Sequence, residues 1–305
     1  LWTCATDYWD DQRIGPETLK TTVDTYRKLR NTVRWMLGNL AHFEIADRVA
    51  VVHMPELERL MLHRLAEVDP LIRSAYADFD YKRIFAALNT LMTIDLSAFY
   101  FDIRKDALYC DLRTAPRRRA ARTTLDEIFR RVATWLAPIL CFTMEEAWLL
   151  RFPGEHESVH LQNFPATPDE WSDAALVEKW NRIRALRRVV TGALEIARRD
   201  KLIGASLEAA PVLFVSDARD AQAFDAVDLA ELCITSHAEI VLGEGPAEAF
   251  RLPDVPGAAA MFQPALGRKC ARCWMILPEV GTVAQHNDLC GRCAGALDAL
   301  EGGGT

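Results

Sequence analysis

Four cysteines near the C-terminus carry the strongest chemical signal in the chain: Cys270 and Cys273, then Cys290 and Cys293, with sixteen residues between the pairs. Two residues inside each pair let one tight turn aim both thiolates at a single ion. A connector of this length brings the second turn back to close a tetrahedron. Four sulfurs fill the coordination sphere of Zn²⁺ and leave no position for water or substrate, so such a metal holds structure rather than performing chemistry. The rival reading is four unlinked buried thiols. Lys269, Arg272, Arg292 and Trp274 stand beside or within the pairs. Cations meet phosphates and an indole stacks on a base, so a rigid platform carrying both suits a nucleic acid. Trp274 has a second use open to it, as a cap over the metal site.

Catalytic constellations are thin elsewhere. His42, His53, His63, His156, His160, His237 and His286 are dispersed, and none sits beside a serine or cysteine in a nucleophile motif. Glu145 and Glu146 are adjacent, and helical neighbours do not face one another, so an ion pair with Arg151 or solvent is their expected use. Gly243-Glu244-Gly245 lacks a third glycine and a following helix, and Pro246 comes next, which excludes a dinucleotide fingerprint. No phosphate-cradling loop with its lysine is present. The sequence offers no active site.

The elements that must position the cysteines come from a chain of 305 residues, half of them apolar, which predicts about two domains. Net charge is -7, so no global polyanion attraction is expected, and any binding face must come from local asymmetry. Cys4, Cys110, Cys141 and Cys233 lie singly and read as core thiols in a reducing cytosol rather than as a disulfide framework. No apolar run approaches a membrane span and no leader opens the chain. Leu1-Trp2, without an initiator methionine, reads as the interior of a longer protein.

The first two-thirds has helical periodicity. After Pro16-Glu17, apolar residues recur at Leu19, Val23, Tyr26, Leu29, Val33, Met36, Leu37 and Leu40, with Arg27, Asn31 and Arg34 on another side. A second helix opens at Pro55 with Leu57, Leu60, Met61, Leu65 and Val68 inward. A third runs from Tyr81 with Phe85, Leu88, Met92, Leu96 and Phe99. A fourth carries Ala121, Leu125, Ile128, Val132 and Trp135 before Pro138. After a loop over 159–168, a fifth runs from Trp171 with Val177, Trp180, Ile183, Leu186, Val190, Leu194 and Ala197 inward. Beyond Lys201 the texture changes. Residues 211–215 read as a buried strand, 232–235 and 239–242 as two more, and 221–230 as a helix between strands.

The fold class is therefore mainly α: an antiparallel helical bundle, a small α/β unit and a C-terminal four-cysteine zinc finger. Residues 1–14 form a lead-in and 15–201 the bundle. Residues 202–250 form the α/β subdomain, 251–267 a Pro/Gly-rich linker, and 268–305 the finger with a mobile Gly302-Gly303-Gly304 tail.

Charge is concentrated within the bundle. Arg117, Arg118, Arg119, Arg122, Arg130 and Arg131 face only Asp126 and Glu127 between 117 and 131. Lys179, Arg182, Arg184, Arg187, Arg188, Arg198, Arg199 and Lys201 face only Glu195 and Asp200 between 179 and 201. A single arginine is usually a solvated residue with an ion pair. Two such groups in an acidic chain predict a phosphate-binding surface.

Certain motifs resemble a known family. Asp7-Tyr8-Trp9-Asp10-Asp11-Gln12-Arg13-Ile14-Gly15-Pro16-Glu17, then Lys28-Leu29-Arg30-Asn31-Thr32-Val33-Arg34 and Leu37-Gly38-Asn39-Leu40, are similar to bacterial isoleucyl-tRNA synthetase, where the catalytic body hands over to the anticodon-binding domain. In the same order follow Ala98-Phe99-Tyr100-Phe101-Asp102-Ile103-Arg104-Lys105-Asp106, Ser158-Val159-His160-Leu161 with Pro165, and the cysteine knuckles with Trp274. Valyl and leucyl relatives share the helical part, and the four-cysteine finger tips the choice toward isoleucine.

The resemblance implies the C-terminal part of a class I synthetase that joins isoleucine to its tRNA with ATP. The lead-in would be the end of the catalytic-body junction and the bundle the class I anticodon-binding domain. The family's His-Ile-Gly-His and Lys-Met-Ser-Lys-Ser type motifs and its editing domain do not occur in this sequence, so no catalytic residue is expected and ATP belongs to the missing catalytic domain. Its partners would be tRNA with an isoleucine anticodon and the catalytic and editing domains of the parent chain, in a cytoplasmic monomer with no membrane contact. Zn²⁺ would be structural, one per chain, on Cys270, Cys273, Cys290 and Cys293. The tRNA-binding residues would be Arg27, Arg30, Asn31 and Arg34 near unstacked anticodon bases, with Arg272 and Trp274 of the finger closing from the other side. Two other readings are a DNA glycosylase-like enzyme, whose finger looks much like this one, and a non-enzymatic helical scaffold. Leu1 in place of a catalytic N-terminal residue argues against the former.

Overall fold

A computed structural model describes residues 1–302, with side chains described through residue 300. It contains two compact units: Leu1–Leu108 with Thr114–Asp173, and Tyr109–Arg113 with Ala174–Thr305.

The first unit is helical. Helix α1 (Pro16–Asn39) begins with proline at its first position, where fixed φ and a missing N–H cost nothing. Its stripe is buried only in the second half, at Leu29, Val33 and Met36 with Thr32. Leu19 and Val23, expected inward, are each 45% exposed. Helix α2 (Glu56–Ala77) follows Pro55 and buries Leu57, Leu60, Met61, Leu65 and Val68 as the pattern predicts.

Next comes a continuous helix of 30 residues, Tyr81–Cys110. It comprises α3 (Tyr81–Thr90), a π-helical segment (Leu91–Tyr100) and α4 (Phe101–Cys110). Asp80 caps it by accepting from the Arg83 amide at 3.0 Å. Leu88, Met92, Leu96 and Phe99 are buried as expected, but Ile84 rather than Phe85 takes the first inward position. The expectation that no apolar run approaches a membrane span is corrected here. This helix is long and apolar enough to cross one, and half of its apolar window is buried inside the protein. A bundle-core helix acquires the same composition because neighbours cover it on several sides.

Helix α5 (Pro116–Leu136) buries Ala121, Leu125, Ile128, Val132 and Trp135, and α6 (Cys141–Arg151) follows. Two buried carboxylates tie these helices together. Glu58, fully buried on α2, accepts from Arg104 Nε at 2.6 Å and Nη2 at 2.7 Å, and from the Tyr100 hydroxyl at 3.1 Å. Asp126, with a side chain 1% exposed, accepts from Arg48 at 2.5 Å, Arg130 at 2.9 Å and Arg151 at 2.9 Å. Burial pushes its carboxyl up, but those three guanidinium groups overcome the push and hold it below its ordinary value.

The second unit contains α7 (Ala174–Arg199), expected as the bundle's fifth helix. It lies instead on a small sheet, against α9 (Leu229–Cys233), β1 (Val212–Val215) and β3 (Ala258–Met261). Trp180, Ile183, Leu186, Val190, Leu194 and Ala197 form its inner stripe, with Leu176 buried in place of Val177. A Cβ on Gly192 would sit 2.3 Å from the Phe250 ring, so only glycine permits this approach. Strand β1 pairs in parallel with β2 (Glu239–Leu242) and antiparallel with β3.

Three expectations change here. The 251–267 linker supplies β3, whose Ala258-Ala259-Ala260 run is small enough to be buried without alternation. The strand expected at 232–235 is the end of α9, capped by Asp228 and stopped by Ile234 at φ 58°. The helix expected over 221–230 is two short pieces, α8 (Ala218–Gln222) and the start of α9. The finger adds antiparallel β4 (Arg268–Lys269) and β5 (Ile276–Leu277) and then α10 (Gly291–Gly302). Of the tail expected to be mobile, Gly302 ends α10, and Gly303 and Gly304 lie outside the described residues.

Removing Asp126 strands three guanidinium groups, so Asp126→Ala should lower stability by about 3 kcal/mol at pH 7 in urea denaturation. A depressed carboxyl contributes stability above its unfolded value of about 3.9, and that contribution fades as pH falls through the folded value. The gap between wild type and variant should therefore narrow below about pH 4.

Candidate functional site

The four cysteines converge as their spacing requires. Cys270 directly follows β4, and its knuckle closes through Trp274 N to Cys270 O at 3.0 Å and Cys270 N to Met275 O at 2.8 Å. Trp274 takes the left-handed conformation at φ 66°, where a turn favours glycine. The second knuckle opens α10, and Cys290 N donates to Cys270 Sγ at 3.4 Å. All four sulfurs lie within 4.8 Å of one another, and Cys273 Sγ is 3.8 Å from Cys290 Sγ. A tetrahedron with metal–sulfur bonds of about 2.3 Å has edges of about 3.8 Å. Burial opposes ionisation of Cys270, but amide donors from Cys273, Cys290 and Arg272 bring its thiol down to about 6. Burial pushes Cys290 up, and hydrogen bonding to Cys293 pushes Cys273 up. Sulfurs this close ionise together only around a cation, so the site fits a structural Zn²⁺.

The finger's arginines are anchored inside their own unit. Arg272 donates to Cys110 O at 2.5 Å, Tyr109 O at 3.1 Å and Cys293 Sγ at 3.7 Å. Arg292 meets Asp111 at 3.0 Å. Arg272, expected to face RNA, is thus a strut between the knuckles and the 109–113 segment. Trp274 is 60% exposed, which removes its reading as a buried cap. Lys269 Nζ lies 5.5 Å from the centre of its ring. Of the single thiols, Cys110 and Cys233 are buried, Cys4 is half-buried and Cys141 is exposed, so the core expectation fails for Cys141.

The arginine groups expected to form a phosphate surface are largely spent internally. On α5, Arg119 donates to Ala46 O and Asp47 O, Arg122 to Asn39 O and Ala41 O, and Arg131 to Glu127 and Ala166 O. On α7, Arg182 pairs with Asp220, Arg188 with Asp254, Arg198 with Glu195 and Arg199 with Asp200, while Arg187 donates to Leu232 O. Sequence counting included Glu127, Glu195 and Asp200 but missed the other partners, which are distant in the chain or are backbone carbonyls.

Helix α1 differs. Arg27 is exposed with Asp24 at 3.2 Å. Lys20, Lys28, Arg30 and Arg34 are exposed and, among the described residues, join no ion pair; the Asn31 amide is exposed beside them. A cleft of about 490 Å³ opens next to this face, between α1 and the π-helical segment. Lys28 and Trp35 of its wall, a helical step to either side of Asn31, were not singled out by sequence.

A family model described as the anticodon-binding domain of tRNA ligase matches residues 58–213, just over half the chain. The chain belongs to that family. A second model, a zinc finger found in FPG and IleRS, matches residues 267–295. Among curated relatives, the isoleucine–tRNA ligase of Brucella abortus is 54% identical over 99% of this chain. Those of Bradyrhizobium diazoefficiens and Ruegeria pomeroyi are each 55% identical over 97%. The chain spans 30–31% of the length of these relatives. Membership of the anticodon-binding family over the helices argues against the glycosylase-like and scaffold readings.

Purified protein should hold one zinc per chain by atomic emission, and Cys270→Ser should lose it. Arg272→Met should retain the metal but release it to chelator several-fold faster, because the knuckles lose their tie to Tyr109 and Cys110.

Proposed function

We propose that this chain is the tRNA-grasping C-terminal part of an isoleucine–tRNA ligase. It holds the anticodon stem-loop while a catalytic body outside it performs ATP-dependent aminoacylation in the cytoplasm. The observation that carries this reading is the union, in one chain, of the anticodon-binding helices and the four-cysteine finger in the order of relatives bearing that name.

The contribution to rate is positioning: a hairpin fixed at one end brings a distant acceptor end to the reaction at a set distance and angle. This chain supplies no catalytic residue, and the full protein acts as a monomer. Arg27, Arg30 and Arg34 meet phosphates, and the Asn31 amide meets a base edge. Single-stranded loops suit such contacts because their bases are unstacked and their edges bare. Trp274, held outward by its left-handed turn with Lys269 against its ring, stacks on a nucleobase of the same hairpin. Zn²⁺ held by Cys270, Cys273, Cys290 and Cys293 would fix the knuckle that aims this ring, and four sulfur ligands would leave it no open position for bond-making.

Fluorescence anisotropy with labelled tRNA bearing the isoleucine anticodon tests the reading. Changing one anticodon base should weaken binding, and Trp274→Ala should cost about 1–3 kcal/mol without changing the melting temperature. Equal affinity for altered and unaltered anticodons would sink the isoleucine assignment. Unchanged affinity in the Trp274 variant would remove the finger from the interface.

A further inference from the structure

The cleft between α1 and the π-helical segment has a chemistry that none of the family's motifs assigns. Four residues of α1 line one side at helical steps: Lys28, Asn31, Thr32 and Trp35. Thr93, Ser97 and Phe101 line the other, with Lys105 at its end. The π-helical turn builds that second wall. Ser97 Oγ donates to Met92 O at 2.8 Å, five residues back, and Thr93, Ser97 and Phe101 follow one another at four-residue steps along this side of the cleft.

The hydroxyls decide what the cleft can bind. Thr93 donates its proton to Asn89 O at 2.7 Å, and Ser97 donates to Met92 O. Thr32 lies 3.0 Å from Lys28 O and 3.1 Å from Ser97 Oγ, so its proton is also committed. All three protons point into the protein's own backbone or into each other. What remains toward the cleft is oxygen lone pairs, which accept and do not donate.

Aromatic and charged groups frame this acceptor wall. Trp35 and Phe101 stack at 4.2 Å and 21° between planes, giving the cleft an aromatic end suited to a flat guest. Lys28, which joins no ion pair among the described residues, and Lys105, 2.7 Å from Asp102, place positive charge at the rim. Asn31 adds one donor and one acceptor at the mouth. The volume falls in the range of small-molecule sites. A flat, donor-bearing guest tethered between anionic groups matches all three features.

We propose that this cleft is an acceptor slot for one unstacked RNA nucleotide whose base carries an exocyclic amino group, and that it discriminates against uracil. Adenine, cytosine and guanine present amino donors to Thr93, Ser97 and Thr32. Uracil has no amino group: where the other bases put an exocyclic N–H it sets a carbonyl oxygen against those lone pairs, and its single N3–H does not make up for the carbonyl's lost water. Lys28 and Lys105 meet the flanking phosphates. The inference rests on the tRNA-binding reading and adds a specific base-reading slot to it.

The test is a loop scan with the isoleucine-anticodon hairpin and the full chain. Each loop nucleotide is replaced in turn by an abasic site and, where it bears an amino group, by uridine. Affinity is measured for wild type, Thr93→Val and Asn31→Ala. Thr93→Val removes the hydroxyl at constant shape, and Asn31→Ala changes an exposed side chain, so one variant remains interpretable if the other unfolds. In wild type, one position should lose about tenfold on either replacement, and that loss should fall below twofold in both variants. Losses identical in all three proteins would overturn the slot while leaving hairpin binding, and so the tRNA reading, intact. A coupled position that tolerates uridine would overturn the acceptor wall. Failure of wild type to bind any hairpin at low salt would overturn the tRNA reading and the slot together.

Discussion

Arginine rarely stays unpaired where a carboxylate or carbonyl can reach it, and that constraint organises the helical unit. One buried carboxylate, Asp126, collects Arg48, Arg130 and Arg151. Another, Glu58, takes Arg104 in a two-pronged grip with Tyr100 alongside. Arg104 and Arg151 fix one helix against another in this way, and a guanidinium so spent cannot also hold a phosphate. The cations that remain are therefore informative by exclusion. Four of them lie together on α1, where Lys20, Lys28, Arg30 and Arg34 have no anionic partner among the described residues. A protein of net charge -7 attracts RNA only through such a local surplus.

The second unit reaches rigidity by another route. Its finger has a small core, built on the four cysteines with Val280, Leu289 and Ala294. Such a core supplies little hydrophobic stabilisation, so thiolate–metal bonds must supply most of it. Arg272 and Arg292 bind the knuckles to the 109–113 segment, and that rigidity makes an exposed indole useful. A ring on a mobile loop would lose entropy on stacking that Trp274, held by its turn, loses in folding.

Local patterns were legible in the sequence, and long-range partners were not. The cysteine spacing was enough to bring four sulfurs together, because ligand geometry depends on a few adjacent residues. Stripes such as Leu125, Ile128, Val132 and Trp135 were buried as read, since a long periodic run has one stable use. The placement of α7 was not visible: its stripe fits a helix layer or a sheet equally, and only Gly192 against Phe250 and the small residues of β3 decide between them. The arginine groups misled for the same reason. Arg187 and Arg122 are satisfied by carbonyls, which no count of acidic residues includes. The π-helical turn at Leu91–Tyr100 was equally hidden, because Met92, Leu96 and Phe99 recur at the three- and four-residue steps of an ordinary helix.

The central claim is that unpaired cations on α1, and not the paired ones elsewhere, hold the RNA. The salt dependence of hairpin binding measures it most directly, because each neutralised phosphate in a single strand adds about 0.7 to the slope of log affinity against log salt. Replacing Arg30 and Arg34 together by glutamine should reduce that slope by about 1.4, and replacing Arg188 and Arg199 together should leave it unchanged. A slope that survives the first pair and falls with the second would contradict the account.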